Sequence, residues 1–210
     1  MQKIHKDLKF AAHVLFHPLD GFWDLKREKK GRLYVALLFT VLWFFTNIFM
    51  QVGYSFSFNL SYGLHLDIIR ELRSVGLIFI LFCTANWSVT TLMDGKGFLK
   101  DIMMVFGYAC LPMTILRIPA ILLSNVLSAD EGVYINVLFA AAWVWFIALL
   151  FFGIMQVHEY SFSKTVGTSV LTICSMLIIV FICMIFYNIF AQMAEFCTLF
   201  FKELFRGTGA

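Results

Sequence analysis

Residues 33–56 read LYVALLFTVLWFFTNIFMQVGYSF, a run without a single charged side chain. As an α-helix it would rise about 36 Å, enough to cross a hydrocarbon core roughly 30 Å thick. It is too long for the apolar core of a signal peptide, and no small-residue cleavage site follows, so it is expected to remain in the mature protein. Four further apolar runs of similar length follow at 75–92, 102–127, 133–156 and 166–190.

The composition agrees with these runs. Of 210 residues, 61% are hydrophobic, 18% aromatic and only 14% charged, and the mean hydropathy is +0.85. A chain of this size has too little interior to hide so much apolar surface from water, which excludes a soluble enzyme. The expected fold is an all-α membrane protein, a bundle of five transmembrane helices. Its parts are a basic leader over 1–32, the membrane domain over 33–190 and an amphipathic tail over 191–210.

Charge sets the expected orientation. Lys3, Lys6, Lys9, Lys26, Arg27, Lys29, Lys30 and Arg32 precede the first run, whereas the stretch after it carries Arg70 and Arg73 balanced by Asp67 and Glu71. The positive-inside rule then places the N-terminus in the cytoplasm. The cytoplasmic side also receives Lys96, Lys100 and Lys164, and five spans leave the C-terminus outside. The net charge of +3 thus reports topology, and no nucleic-acid partner is expected.

Both ends of the chain have amphipathic periodicity. Ile4, Leu8, Ala11, Ala12 and Leu15 recur at helical spacing, and after His17-Pro18 a second segment restarts through Leu19, Phe22, Trp23 and Leu25. This reads as an interfacial collar, with Phe22 and Trp23 at the headgroup level and Lys26 and Arg27 facing anionic lipid or a cytosolic partner. At the other end, Phe196, Leu199, Phe200, Phe201, Leu204 and Phe205 alternate with Gln192, Glu195, Lys202, Glu203 and Arg206. If helix continues unbroken from the fifth span, that tail must either bend to lie flat on the outer surface or project from it.

Arg117 is the only charge well inside a span, a costly placement that marks a candidate functional residue. Its structural alternative is pairing with Glu195, Asp130 or Glu131, or snorkelling outwards. Pro112 and Pro119 bracket it and predict a kinked third helix. Asn86 and other amides are expected to hydrogen-bond between helices. No acidic residue lies in mid-span, which argues against an ion-coupled transporter.

Catalytic and metal chemistry find no motif. His13 and His17 lack further ligands, and His158-Glu159 lacks the second histidine of a zinc-protease helix. Cys83, Cys110, Cys174, Cys183 and Cys197 form no Cys-x-x-C pair and read as small apolar fillers. No catalytic residue, metal or cofactor is expected, and the short loops leave no room for a catalytic domain.

The loops before the third and fifth spans share a short echo, Phe98-Leu99-Lys100 and Phe162-Ser163-Lys164, which could mark two related hairpins or arise independently. Three further stretches carry a family resemblance: His17-Pro18-Leu19-Asp20-Gly21-Phe22-Trp23, Asn86-Trp87-Ser88 leading to Asp94-Gly95-Lys96-Gly97, and Gly107-Tyr108-Ala109-Cys110-Leu111-Pro112. Over about residues 10–190 the chain resembles the Yip-domain family of Ypt/Rab-interacting integral membrane proteins. The resemblance implies five spans with a cytoplasmic N-terminus. Eukaryotic members bind prenylated small GTPases and usually carry a long cytosolic tail. This chain has only about 32 residues there, so GTPase binding is not carried over. Its compact form is more similar to the bacterial branch, which has no established biochemical activity and is linked with transport systems such as ABC-type sugar importers.

These readings predict a non-enzymatic, multi-pass protein of the cell membrane, an accessory or organising subunit in contact with lipid and with other integral membrane proteins such as permease subunits. Homo-oligomers are compatible with it. Contacts are expected at Phe22, Trp23, Lys26, Arg27, Asp94 and Lys96, and helix packing or intramembrane polar roles at Asn86, Gly107, Tyr108, Pro112 and Arg117. The alternatives are a small transporter or channel that uses the kinked third helix and Arg117, and a lipid-binding or bilayer-shaping protein.

Overall fold

The computed structural model describes residues 2–55, 58 and 67–207. Among these it contains α-helices α1 (Gln2–Phe16), α2 (Pro18–Arg27), α3 (Leu33–Gly53), α4 (Ile68–Leu92), α5 (Leu99–Ala109), α6 (Leu111–Ser124), α7 (Gly132–His158) and α8 (Phe162–Gly207). A 3-10 turn, Ala129–Glu131, leads into α7. Five helical segments are long and apolar enough to cross a membrane: α3, α4, α5 with α6, α7, and α8. The protein is a multi-pass, all-helical membrane protein.

The expected first span ended at residue 56, which lies outside the described residues. The second begins earlier than expected. Residues 68–74 are helical, because Asp67 caps the helix by accepting a hydrogen bond from the Arg70 amide at 2.8 Å and Glu71 places negative charge on its first turn. Arg70, Glu71 and Arg73 therefore belong to α4, where the sequence reading had a loop.

The third span occupies the centre of the bundle. In its most apolar window 67% is buried, against 6% for α8. Its helix breaks at Cys110, whose amide bonds back to Phe106 and Gly107. Pro112 has no N–H to offer the Tyr108 carbonyl and its ring crowds that turn. Pro119 causes no second break, since α6 runs through it to Ser124. The kink expected from two prolines is thus a break at one.

Around α5 the core is aromatic. Phe106 meets Trp43, Phe79, Phe82 and Phe146 at ring separations of 5.2–6.2 Å, and Tyr108 stands edge-on to Phe10 and Phe39. Gly107 lets α5 press against the backbone of Ala36 on α3. Asn86 on α4 is fully buried and donates to Thr172 Oγ1 on α8 at 3.1 Å. α4 packs chiefly against α8, and α6 against α7, so adjacent spans do not simply fold as two self-contained hairpins.

The N-terminal helices fold onto one end of the bundle. α1 buries Ala11, Val14 and Leu15 but leaves Leu8 exposed, and Trp145 on α7 donates its indole N–H to the Leu15 carbonyl at 3.3 Å. Phe22 was expected at the headgroup surface. It is instead completely buried, wedged beside Gly153 of α7, because transferring a phenyl ring into a preformed gap removes it from both water and headgroups. Trp23, its neighbour, is 47% exposed.

α8 is one uninterrupted helix of 46 residues, about 69 Å long. The amphipathic tail is therefore the continuation of the fifth span. From residue 181 to 203 every side chain is exposed within the chain.

Candidate functional site

Two polar constellations stand out, one at each end of the bundle. The first joins the end of α2, the connection 93–98 and the connection 159–161. Glu159 adopts a left-handed conformation, φ 55° and ψ 40°, which ends α7 and turns its carboxylate towards three cations. Arg27 Nη2 donates to Oε1 and Lys96 Nζ to Oε2, both at 2.7 Å, while Lys26 Nζ stands 3.7 Å away and donates to the Val157 carbonyl. The Lys96 hydrogen bond, aided by Arg27 and Lys26, holds the Glu159 carboxyl below the usual carboxylate range.

Beneath this clasp, His158 is buried and its Nδ1 accepts from the Gly97 amide at 3.3 Å. Its ring stacks on Tyr160 at 5.3 Å, and Lys164 lies 4.5 Å above the Tyr160 ring. The Tyr160 hydroxyl donates to the Met93 carbonyl at 3.1 Å. Gly95 and Gly97 are required here, since a Cβ on Gly95 would lie 2.6 Å from His158 Nδ1 and one on Gly97 2.8 Å from His158 Cε1. Asp94 is exposed, with a left-handed φ of 56°. Its charge adds to burial in raising the Tyr160 phenol.

A single carboxylate thus gathers Lys26, Arg27 and Lys96, leaving a surplus of positive charge. Beside it, Lys6, Lys9, His13, His17 and Lys30 line an open groove of about 650 Å³ between α1 and α2, with Asp24 as its acidic member. The His13 and His17 rings stack at 5.4 Å, and among the described residues no group of three or more metal-ligating side chains forms. Lys26, Arg27 and Lys96, expected as contact residues, are brought together. Phe22 lies in the interior and Trp23 on its own exposed face.

The second constellation surrounds Arg117. Its Nη1 donates to Asn47 Oδ1 at 2.7 Å, and its guanidinium faces the rings of Trp143 at 5.5 Å and Phe139 at 5.9 Å. The expected pairing with Glu195, Asp130 or Glu131 is not formed among the described residues. Asn47 lies one helix away from Arg117 across a closely packed interface, whereas those carboxylates sit on segments that do not reach it. Glu71, now helical, lies on the rim of the same cavity with Gln51 and Ser74.

The sequence reading missed His158, Glu159 and Tyr160 as a set, and it missed Glu71 as a neighbour of Arg117. The first had a signal in the paired glycines at 95 and 97, which imply a close backbone approach. The second had none, because the α3–α4–α6 geometry that forms the cavity is long-range.

A Yip1 domain family model matches residues 12–187. The chain belongs to the Yip1 domain family. The matched region takes in the last turn of α1, the whole of α2 to α7 and most of the apolar part of α8, so α2 belongs to the Yip1 unit along with the spans. No curated protein and no solved structure matches the chain.

Proposed function

We propose that this Yip1-family protein works without chemistry of its own, as an accessory or organising subunit of a complex in the cell membrane, with its N-terminus and basic end in the cytoplasm. The observation that supports the reading is the clasp at Glu159. Three cations, each from outside α7, are held at fixed positions by one carboxylate, so the basic face is preorganised, which lowers the entropic cost of binding. Its complement is an acidic surface: anionic headgroups, or the acidic loop of a neighbouring integral membrane protein.

The short connections 93–98 and 159–161 fit a protein that presents a surface and not a catalytic domain. The resemblance to the bacterial branch makes permease subunits the first partners to seek. Recovery of the full-length chain from its native membrane in mild detergent, followed by mass spectrometry, tests the reading. A stoichiometric integral membrane partner that is lost in Lys26→Gln/Arg27→Gln supports it. Recovery of the chain alone, together with solute flux in reconstituted vesicles that disappears in Arg117→Leu, replaces it with the transporter reading.

A further inference from the structure

The cavity around Arg117 has a chemical character that a contact role at the opposite end does not use. Its volume is about 240 Å³, and it is bounded by Trp43, Asn47 and Gln51 of α3, Glu71 and Ser74 of α4, and Arg117 of α6. Pockets for whole drug-sized solutes span about 300–1,000 Å³, so this one suits a smaller polar group.

Its donors are incompletely used. Arg117 spends one N–H on Asn47, and its buried Nε has no partner among the described residues. Trp43 is 97% buried by its 3% exposure, and its indole N–H is likewise without a partner. Leaving such groups unpaired in the interior is unfavourable, more so when they are charged. A guanidinium with free N–H groups, beside an indole donor, is matched by phosphate oxygens.

The rim carries the opposite charge. Glu71 Oε1 accepts from Gln51 Nε2 at 2.9 Å, which fixes the carboxylate while its second oxygen has no hydrogen bond among the described residues. An anion alone would be repelled by Glu71, and a cation alone by Arg117. A phosphate that carries a primary ammonium satisfies both.

The depth of the cavity fits the same group. Asn47 stands six residues before the end of α3 at Gly53, about 9 Å along the helix, and Glu71 lies in the first turn of α4. Both positions lie towards the bundle end away from α1 and α2, the end that a headgroup layer would cover if α3 and α4 cross the hydrocarbon core.

We infer that this cavity is a binding site for a zwitterionic phosphoamine headgroup of the phosphoethanolamine type, with Arg117 and Trp43 holding the phosphate and Glu71 the ammonium. The rings of Trp143 and Phe139 on α7 lie against the guanidinium at 5.5 and 5.9 Å. The same chemistry can come from a membrane lipid or from free phosphoethanolamine.

The test is native mass spectrometry of the full chain in mild detergent, titrated separately with phosphatidylethanolamine, phosphatidylglycerol of the same acyl chains, and phosphoethanolamine. One saturable phosphatidylethanolamine adduct is expected, with phosphatidylglycerol about tenfold weaker. Arg117→Gln should weaken the adduct about tenfold or more. Glu71→Gln should weaken the phosphatidylethanolamine adduct, raise phosphatidylglycerol occupancy and abolish the preference between the two lipids. If phosphoethanolamine binds as tightly as the lipid, the headgroup chemistry stands and its source is a solute. Equal occupancy by both lipids in the native chain, or an unchanged adduct in a folded Arg117→Gln protein, overturns the proposal. Should Arg117→Gln fail to fold, the selectivity of Glu71→Gln decides it.

Discussion

Gly107 has no room for a side chain. A Cβ there would meet the carbonyl and Cβ of Ala36, and neither backbone can retreat without separating α3 from α5. Gly107→Val is expected to destabilise the bundle by about 1–3 kcal/mol, measurable as a lower thermal midpoint in detergent. Asn86→Ala removes the hydrogen bond to Thr172 and should cost less, near the average of about 0.6 kcal/mol for interhelical bonds in membranes. Glu159 makes a pH-dependent contribution. Its native carboxyl titrates lower than an unfolded one because of Lys96, Arg27 and Lys26. The stabilisation is therefore complete above the ordinary carboxylate value and is lost as pH falls through the lowered native one. Thermal midpoints of the native chain and Glu159→Gln should converge in acid and separate towards neutrality.

At the scale of elements, the sequence could locate helices but not how far they reach. Asp67 extends α4 by a cap that the sequence also contains, yet the polar stretch around Arg70 reads as loop because hydropathy averages over it. Pro112 and Pro119 look alike in sequence, and only Pro112 breaks its helix, since a proline's consequence depends on what surrounds the freed carbonyl. α8 illustrates the opposite case, where continuity in sequence becomes continuity in structure. From residue 181 to 203 it buries no side chain against another helix among the described residues, so a chain stopped after Phe190 is expected to keep its thermal midpoint, with a change within about 0.5 kcal/mol. A larger loss would mean that the distal half is held by contacts between copies.

For the whole molecule, the hydrogen bonds of Glu159 to Arg27 and Lys96 put α2 and the connections after α4 and α7 at one end. We propose the side of the membrane from charge alone, by the positive-inside rule. In a cysteine-free background, Lys29→Cys and Lys100→Cys are expected to react with a membrane-impermeant maleimide only after the cytoplasmic face is opened. Ser128→Cys, at the other end of the bundle, should react in intact cells. The reverse pattern would invert the orientation without altering the fold.

The five apolar runs, the basic leader and the odd charge at Arg117 are properties of neighbouring residues, and partition between water and lipid acts on such local stretches. For that reason the sequence by itself determined that this is a five-span helical membrane protein, and its short motifs pointed to the Yip family. Which face of each helix meets which was decided only in three dimensions. Gly107 finds Ala36, Asn86 finds Thr172, and Arg117 finds Asn47, with Glu71 lining the same cavity, instead of Asp130, Glu131 or Glu195. Hydropathy is nearly uniform within a span and carries no information about azimuth. The choice falls to close packing and to the pairing of the few buried polar groups, both of which depend on residues far apart in the chain.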